Sequence, residues 1–474
     1  MLFGSSSFLL GFLPVVVLGA IALRRLGGAL ASRWWVLGCS AVFYAWNSPR
    51  HVAVLTVSML LNWLLARTMV RFQWQARLRL LQLGLLLNTA ALSIYKYTGF
   101  LVTTAAAVLH RNWRAPAISF PLGISFFTIV QVMYLLDCYE ELVPALGALD
   151  YATFVSFFPS ILSGPLARAG LLQPQLQRLG GEPGRTAEQV ARGLLQFAIG
   201  MFKKIVFAGA FSSVANVGFQ RGAHLSALEA WLCSAAYTLQ IYFDFSGYTD
   251  MAIGSARMLG VELPRNFNAP LRSRSIIEFW QRWHITLSNF ITTYLYTPIV
   301  RRFRKITLAK AALATLLAMT IAGLWHGPSW NFVLFGMMHG AGLVVNQYWR
   351  KKKMPKLPGW LSLALTLLLV NTAFVVFRAA DLAQAGTVLR TMLTPHHAAG
   401  LESLRAARLD LSAFKVLVAM PAGVLAAFLG PSSDEWCQRW QPTAWTALGV
   451  AGMVMMSMIY QIFNVSQDFV YFRF

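Results

Sequence analysis

Two histidines stand where an otherwise apolar chain accommodates them least easily. His326 sits within Gly323-Leu324-Trp325-His326-Gly327-Pro328-Ser329-Trp330, where glycine and proline interrupt a strongly apolar region. His284 lies about forty residues earlier, in the tryptophan-rich Phe279-Trp280-Gln281-Arg282-Trp283-His284-Ile285-Thr286-Leu287-Ser288. An ionisable group at membrane depth is costly unless it faces a cavity or a partner. With an ordinary pKa of about 6.5, histidine is the natural base for a hydroxyl near neutral pH. His326 is therefore read as the base that takes the proton from an acceptor hydroxyl as it attacks a thioester or ester. His284 is read as the group that orients the donor carbonyl, stabilises a developing oxyanion or assists proton transfer.

The plainer alternatives stay open at this level: a buried histidine bonding a helix-end carbonyl, and a polar residue solvating a buried helix face. Trp325, Asn331, Asp250, Arg282 and Ser288, in the same polar and aromatic segments, are candidates for substrate or donor binding. His339 ranks below them, and His396 and His397 read as solvated loop residues. Asp244 and Asp250 have no third ligand at diagnostic spacing, so no metal is assigned; pairing with Arg257, Arg265, Arg272, Arg274 or Arg282 is expected instead. A P-loop, a GxSxG elbow and a dinucleotide fingerprint are missing, which leaves ATP hydrolysis and a serine acyl-enzyme without support.

The segments that must position these residues have their own signals. Ser275 with Glu278 forms a capping box opening a helix. Ile276, Trp280, Trp283, Leu287, Phe290 and Tyr294 then recur on one stripe that continues to Pro298. Leu263 to Pro270 reads as an extended connector. Gly327 is expected to end the preceding helix in a left-handed conformation and Pro328 to start the next, leaving His326 at a helix discontinuity of the kind that binds polar substrates in membranes.

Composition sets the solvent. Of 474 residues, 57% are hydrophobic and 12% charged, and the mean hydropathy is +0.56, which no soluble globular composition matches. The fold class is an all-α polytopic membrane protein, one domain over 1–474, with N-terminal helices in 1–178 and the polar motifs in 190–474. Apolar runs long enough to span occur near 8–23, 34–47, 52–66, 80–95, 190–213, 227–245, 308–325, 328–347, 358–378, 411–430 and 444–463. Shorter pieces near 97–109, 118–136 and 151–166 are short spans or re-entrant segments. Loops are expected near 168–192, marked by Gly180, Gly181, Pro183 and Gly184, and near 380–410.

The formal charge of +23 is scattered through loops, which points to topology and anionic lipid and away from nucleic acid. Arg24, Arg25 and Arg33, then Arg67, Arg71, Arg77 and Arg79, then Arg111 and Arg114 are read as successive cytoplasmic loops, with the N-terminus periplasmic. The first apolar run reads as an uncleaved span. Cys39, Cys138, Cys233 and Cys437 have no CxxC spacing and read as packing residues.

Several long motifs, in order, carry a resemblance. They are Tyr95-Lys96-Tyr97, Phe120 to Thr128, Phe157-Phe158-Pro159 with Ser163 to Arg168, Gly200 to Lys204, Tyr242 to Gly254, Phe279 to Ser288 and Gly323 to Asn331. In these the chain resembles the membrane-bound O-acyltransferase superfamily, and within it the bacterial alginate O-acetylase branch; the closing Tyr471-Phe472-Arg473-Phe474 is similar to acetylase termini. The resemblance implies that His326 is the signature catalytic histidine and His284 the second active-site position. It also implies roughly 11 or more transmembrane helices, with re-entrant and interfacial helices around a central funnel.

The implied activity is transfer of an acetyl group from a cytoplasmic donor, acetyl-CoA, across the inner membrane to a hydroxyl of an exported alginate- or cellulose-like polysaccharide. No bound cofactor is expected. The implied partners are a periplasmic acetyltransferase or acetyl carrier and the polysaccharide synthesis and export machinery. D-alanyl or other short-acyl transfer to a cell-envelope polymer is the alternative, and a proton-coupled transporter is the alternative from another class. Phe290 to Tyr296 lacks the Arg-Asp pair usual in the branch, and Ile299-Val300-Arg301-Arg302 replaces its glycine-rich turn.

Overall fold

The computed structural model describes residues 3–180, 186–221, 225–394, 415–441 and 443–463. The sequence expectations for Gly181, Pro183, Gly184, Arg185, His396, His397 and Tyr471 to Phe474 lie outside the described residues. Among the described residues every regular element is helical, and seven helical stretches are long and apolar enough to cross a membrane, eight if the bent pair Leu417–Phe428 and Ser433–Arg439 is one span. The apolar runs at 227–245 and 328–347 fall in the helices Ala227–Met258 and Trp330–Lys351, which do not meet that criterion.

Contacts gather the chain into two compact units. The first comprises Met1–Gly200, Tyr248–Pro264 and Arg439–Gly452; the second comprises Met201–Gly247, Arg265–Gln438 and Met453–Phe474.

In the first unit, the 41-residue stretch Ser7–Asn47 is not one rod. Gly28 has φ 73°, ψ −171°, and the chain reverses there. Ser32 Oγ donates to Ala20 O at 3.1 Å and Trp35 Nε1 to Val16 O at 3.1 Å, contacts between residues that a straight helix holds ~18 Å or more apart. The two apolar runs near 8–23 and 34–47 are thus two antiparallel helices, and Arg24 and Arg25 lie at their turn. Phe8, Phe12, Phe43, Phe158 and Phe197 close the core beside them.

The run 97–109 departs from expectation. It continues the preceding helix through Ser93–Tyr97 without reversal, so that Trp74–Val108 is one rod of 35 residues, roughly 50 Å long. A single crossing by this rod would put Arg79 and Arg111 on opposite faces, against the expectation that both basic segments are cytoplasmic. The segment near 168–192 is likewise no simple loop: it holds the helix Ala169–Leu176. Arg168 there makes a bidentate pair with the buried Asp137, donating at 2.7 and 3.1 Å.

The second unit holds both histidines. Leu308–His326 and Trp330–Lys351 lie against each other over three glycines. A Cβ on Gly323 would stand 2.3 Å from Phe332 O, and one on Gly336 2.3 Å from Met319 O, so only hydrogen fits at either position; Gly340 extends the seam. Gly359–Arg378 packs on Trp330–Lys351. It is tied to Ala227–Met258 by a buried network in which Thr238 Oγ1 donates to Asn371 Oδ1 at 2.8 Å and Asn371 Nδ2 to Ser234 Oγ at 3.0 Å. Asp244 pairs with Lys204, joining two of the sequence motifs, in place of the expected arginines. Arg282 pairs with Glu278, and Arg272 donates to Ala427 O and Gly430 O; in the first unit, Arg257 pairs with Glu262. Among the described residues the four cysteines form no disulfide, and Cys138, Cys233 and Cys437 are buried.

Candidate active site

His326 is the last residue of the helix Leu308–His326. Gly327 does not end this helix in the left-handed region: it is extended, at φ −169° and ψ 158°. Its requirement is space, since a Cβ would stand 2.0 Å from the Phe332 ring. Pro328 precedes the N-cap Ser329 and does not occupy the first turn of the next helix, which begins at Trp330. The discontinuity at His326 is therefore real, made by an extended turn and not by a left-handed cap. The imidazole is buried, with Phe335, Phe377 and Trp325 edge-on to it at centroid distances of 5.7, 5.6 and 5.1 Å.

The single helix expected from Ser275 to Pro298 is broken in two. Ser275 caps it as expected, its side chain accepting from Glu278 N at 3.1 Å, while the Glu278 carboxylate accepts from Arg274 N. The helix ends at Arg282, Trp283 is extended, and His284 takes φ 44°, ψ 52° before a new helix, Ile285–Phe290. A left-handed non-glycine residue costs about 1–2 kcal/mol, and the neighbouring segment supplies what holds it there. Asn268 N donates to Arg282 O at 2.9 Å and Ile285 N to Asn266 O at 3.0 Å, so the connector 265–269 runs alongside the break and is pinned on both sides of it.

Asn266 also sets the state of the His284 ring. Its Oδ1 accepts from Thr286 N at 3.1 Å and Thr286 Oγ1 at 3.0 Å, which identifies that atom as the oxygen, and it lies 3.1 Å from His284 Nδ1. Nδ1 is therefore the protonated nitrogen, and Nε2 carries a lone pair. Both residues are buried, and neither His284 Nε2 nor Asn266 Nδ2 has a hydrogen-bond partner among the described residues. Complete burial pushes the His284 imidazole down to about 3, so it is neutral at any physiological pH. A neutral Nε2 accepts; it does not donate to an oxyanion.

The structure brings the two histidines to one ring. Trp325 lies 6.4 Å from His284 and 5.1 Å from His326 by ring centroids. Phe245 stands perpendicular to His284 at 4.8 Å, and Phe335 touches both His326 and His339. Trp280 Nε1 donates to His339 Nδ1 at 3.3 Å, which places His339 in the aromatic layer beneath the site.

The other sequence candidates disperse. Ser288 lines a cavity of about 480 Å³ with Trp280, Gln281, Asn289 and Thr292. Asn331 is buried with Nδ2 donating to Val376 O at 3.2 Å and Ala379 O at 2.8 Å, closing the end of Gly359–Arg378. Arg282 pairs with Glu278 on its own helix. Asp250 is a buried residue of the first unit. Asn266 was missed as a site residue; its only sequence signal was its place in the polar stretch Arg265-Asn266-Phe267-Asn268. Among the described residues no three His, Cys, Asp or Glu side chains gather as a metal site.

Residues 72–356 match the family model described as MBOAT, membrane-bound O-acyltransferase family, a region containing both histidines and Asn266. The chain belongs to this family. A peptidoglycan O-acetyltransferase of Helicobacter pylori is 35% identical over 83% of this chain and 80% of its own length. A protein described as probable alginate O-acetylase AlgI of Pseudomonas aeruginosa is 32% identical over 83% of this chain and 75% of its own. A teichoic acid D-alanyltransferase of Streptococcus thermophilus is 27% identical over 49% of this chain and 58% of its own. This membrane-bound O-acyltransferase is accordingly an integral membrane enzyme that transfers acyl groups to oxygen.

Proposed function

We propose that this membrane-bound O-acyltransferase moves an acetyl group from cytoplasmic acetyl-CoA to a hydroxyl of an exported cell-envelope glycan, in the inner membrane and with its N-terminus periplasmic. The observation that carries the reading is the meeting of His284 and His326 at Trp325 in a chain aligned over 83% of its length with O-acetyltransferases of peptidoglycan and alginate. Alignment with D-alanyltransferases covers about half of the chain, which favours acetyl over D-alanyl. A periplasmic acetyltransferase or acetyl carrier acts as partner where the glycan lies beyond reach of the membrane.

The two histidines have different settings and so different roles. His326 closes a helix of 19 residues, where the negative end of the helix dipole favours a developing positive charge. It acts as the base: the acceptor oxygen bonds to the acyl carbon, its proton passes to the imidazole, the carbon–sulfur bond breaks, and the proton leaves with the thiolate. His284, held neutral with an unpartnered lone pair at Nε2, accepts a hydrogen bond from the acceptor hydroxyl and aims it. Asn266 is the positioning residue that fixes this tautomer, and its unpartnered Nδ2 is a donor beside His284 for a carbonyl oxygen. Asn331 and Arg282 are structural.

The test is to measure base-labile acetate on cell-envelope glycans from cells with and without the gene, together with transfer from labelled acetyl-CoA in membranes. Loss of ester with the gene and its return on complementation are expected. Labelled D-alanine ester in place of acetate would replace the reading with its alternative.

A further inference from the structure

A second cavity, of about 1250 Å³, opens between the loop ends of Trp330–Lys351 and Gly359–Arg378, and none of the side chains around His284 or His326 lines it. Its two halves differ in chemistry. One wall is aliphatic, from Met338 and Val345 on the first helix and Leu365 and Leu369 on the second. Val345 and Leu365 are 64% and 48% exposed, so this wall opens sideways at the outer surface of the helices. The mouth is basic, carrying Arg274, Arg350, Lys353 and Lys356 with no acidic residue among the lining. Trp349 Nε1 donates to Pro355 O at 3.0 Å, folding the loop back so that Lys353 and Lys356 reach the same mouth as Arg350.

No acidic side chain lines this mouth, and none occurs in the sequence between Phe279 and Ala380. Glu278, just before that stretch, is engaged by Arg282. Clustered cations beside an exposed aliphatic wall match a ligand with an anionic head and hydrocarbon tails, and a basic loop next to the apolar span Gly359–Arg378 is expected at the cytoplasmic leaflet. We propose that this cavity is a binding site for an anionic phospholipid, with its phosphate held by Arg274, Arg350, Lys353 and Lys356 and its acyl chains along Met338, Val345, Leu365 and Leu369. A soluble phosphate or a nucleotide would meet the same cations but would leave the aliphatic wall bare. The proposal does not depend on which acyl group the enzyme transfers.

The experiment is native mass spectrometry of the full-length, delipidated protein with phosphatidylglycerol, phosphatidylcholine, CoA or inorganic phosphate added. Each cation close to an anionic headgroup contributes about fivefold. Retention of phosphatidylglycerol over phosphatidylcholine by at least about tenfold is expected, and the triple variant R350Q/K353Q/K356Q should lose that preference. Val345→Trp, at an exposed position, fills the aliphatic side and should lose the lipid with every charge in place. If the triple variant does not fold, Val345→Trp and the competition arms on the wild type decide. Equal retention of both lipids, an unchanged preference in the folded triple variant, undiminished binding by Val345→Trp, or displacement of the lipid by CoA or phosphate would each overturn the site.

Discussion

His284 and Asn266 are 18 residues apart in sequence and 3.1 Å apart between Nδ1 and Oδ1. Because the same oxygen accepts from Thr286 N and Oγ1, the contact determines which ring nitrogen of His284 holds the proton. The backbone of Asn266 also accepts from Ile285 N, so one residue sets both the left-handed turn at His284 and the state of its ring.

Asn266→Ala should lower turnover by about 10- to 100-fold, the usual loss when a group orienting a functional histidine is removed. Asn266→Asp keeps an acceptor at Nδ1 and should retain more activity, with the acidic limb of the pH–rate profile moved upward because a carboxylate favours imidazolium. Equal losses in both variants with unchanged pH profiles would make Asn266 structural only.

The burial of His284 has a consequence for acid stability. Its folded pKa, about 3, lies below the unfolded value of about 6.5. The unfolded chain therefore binds the proton more readily, and the stability that depends on neutral His284 is complete above pH 6.5 and lost progressively as pH falls toward 3. Thermal unfolding in detergent at pH 7.5 and pH 5 should show a larger drop for the wild type than for His284→Gln. Parallel drops would contradict the assignment.

The glycine seam beneath His326 predicts a steric result. Gly336→Val puts methyl groups where even a Cβ stands 2.3 Å from Met319 O, and overpacking of this kind costs about 1–3 kcal/mol or more. A clear fall in unfolding temperature is expected. Gly38→Ala, with nothing within 4 Å of the added carbon, should be neutral or slightly stabilising.

The straight rod Trp74–Val108 predicts sidedness. Cysteines introduced at Arg71 and Arg111 in a cysteine-free variant should react differently with an impermeant thiol reagent in intact cells. Arg71, in the more basic segment, should be protected and Arg111 labelled. Protection of both would restore two crossings between them.

What was legible in the sequence followed from local physics. The serine cap at Ser275 and the break after His326 need only neighbours along the chain, and each is where its residues placed it. The break at His284 was not legible, because Trp283 and Leu287 continue the apolar stripe of the preceding helix and only the distant Asn266 interrupts it. Backbone freedom is the usual reason for glycine at a helix end, but at Gly327 the reason is the Phe332 ring, a tertiary contact that neighbours along the chain do not reveal. The bonds of Asn331 to Val376 O and Ala379 O were not legible either, since nothing local shows that its amide closes another helix.

The central claim is that His326 supplies the proton transfer. Acetyl ester on the cell-envelope glycan, measured for His326→Ala at matched membrane expression and unchanged thermal unfolding, tests it most directly. A loss of about 100- to 10,000-fold is predicted, with His284→Ala impaired less severely. Esterification at the wild-type level by folded His326→Ala would contradict the account.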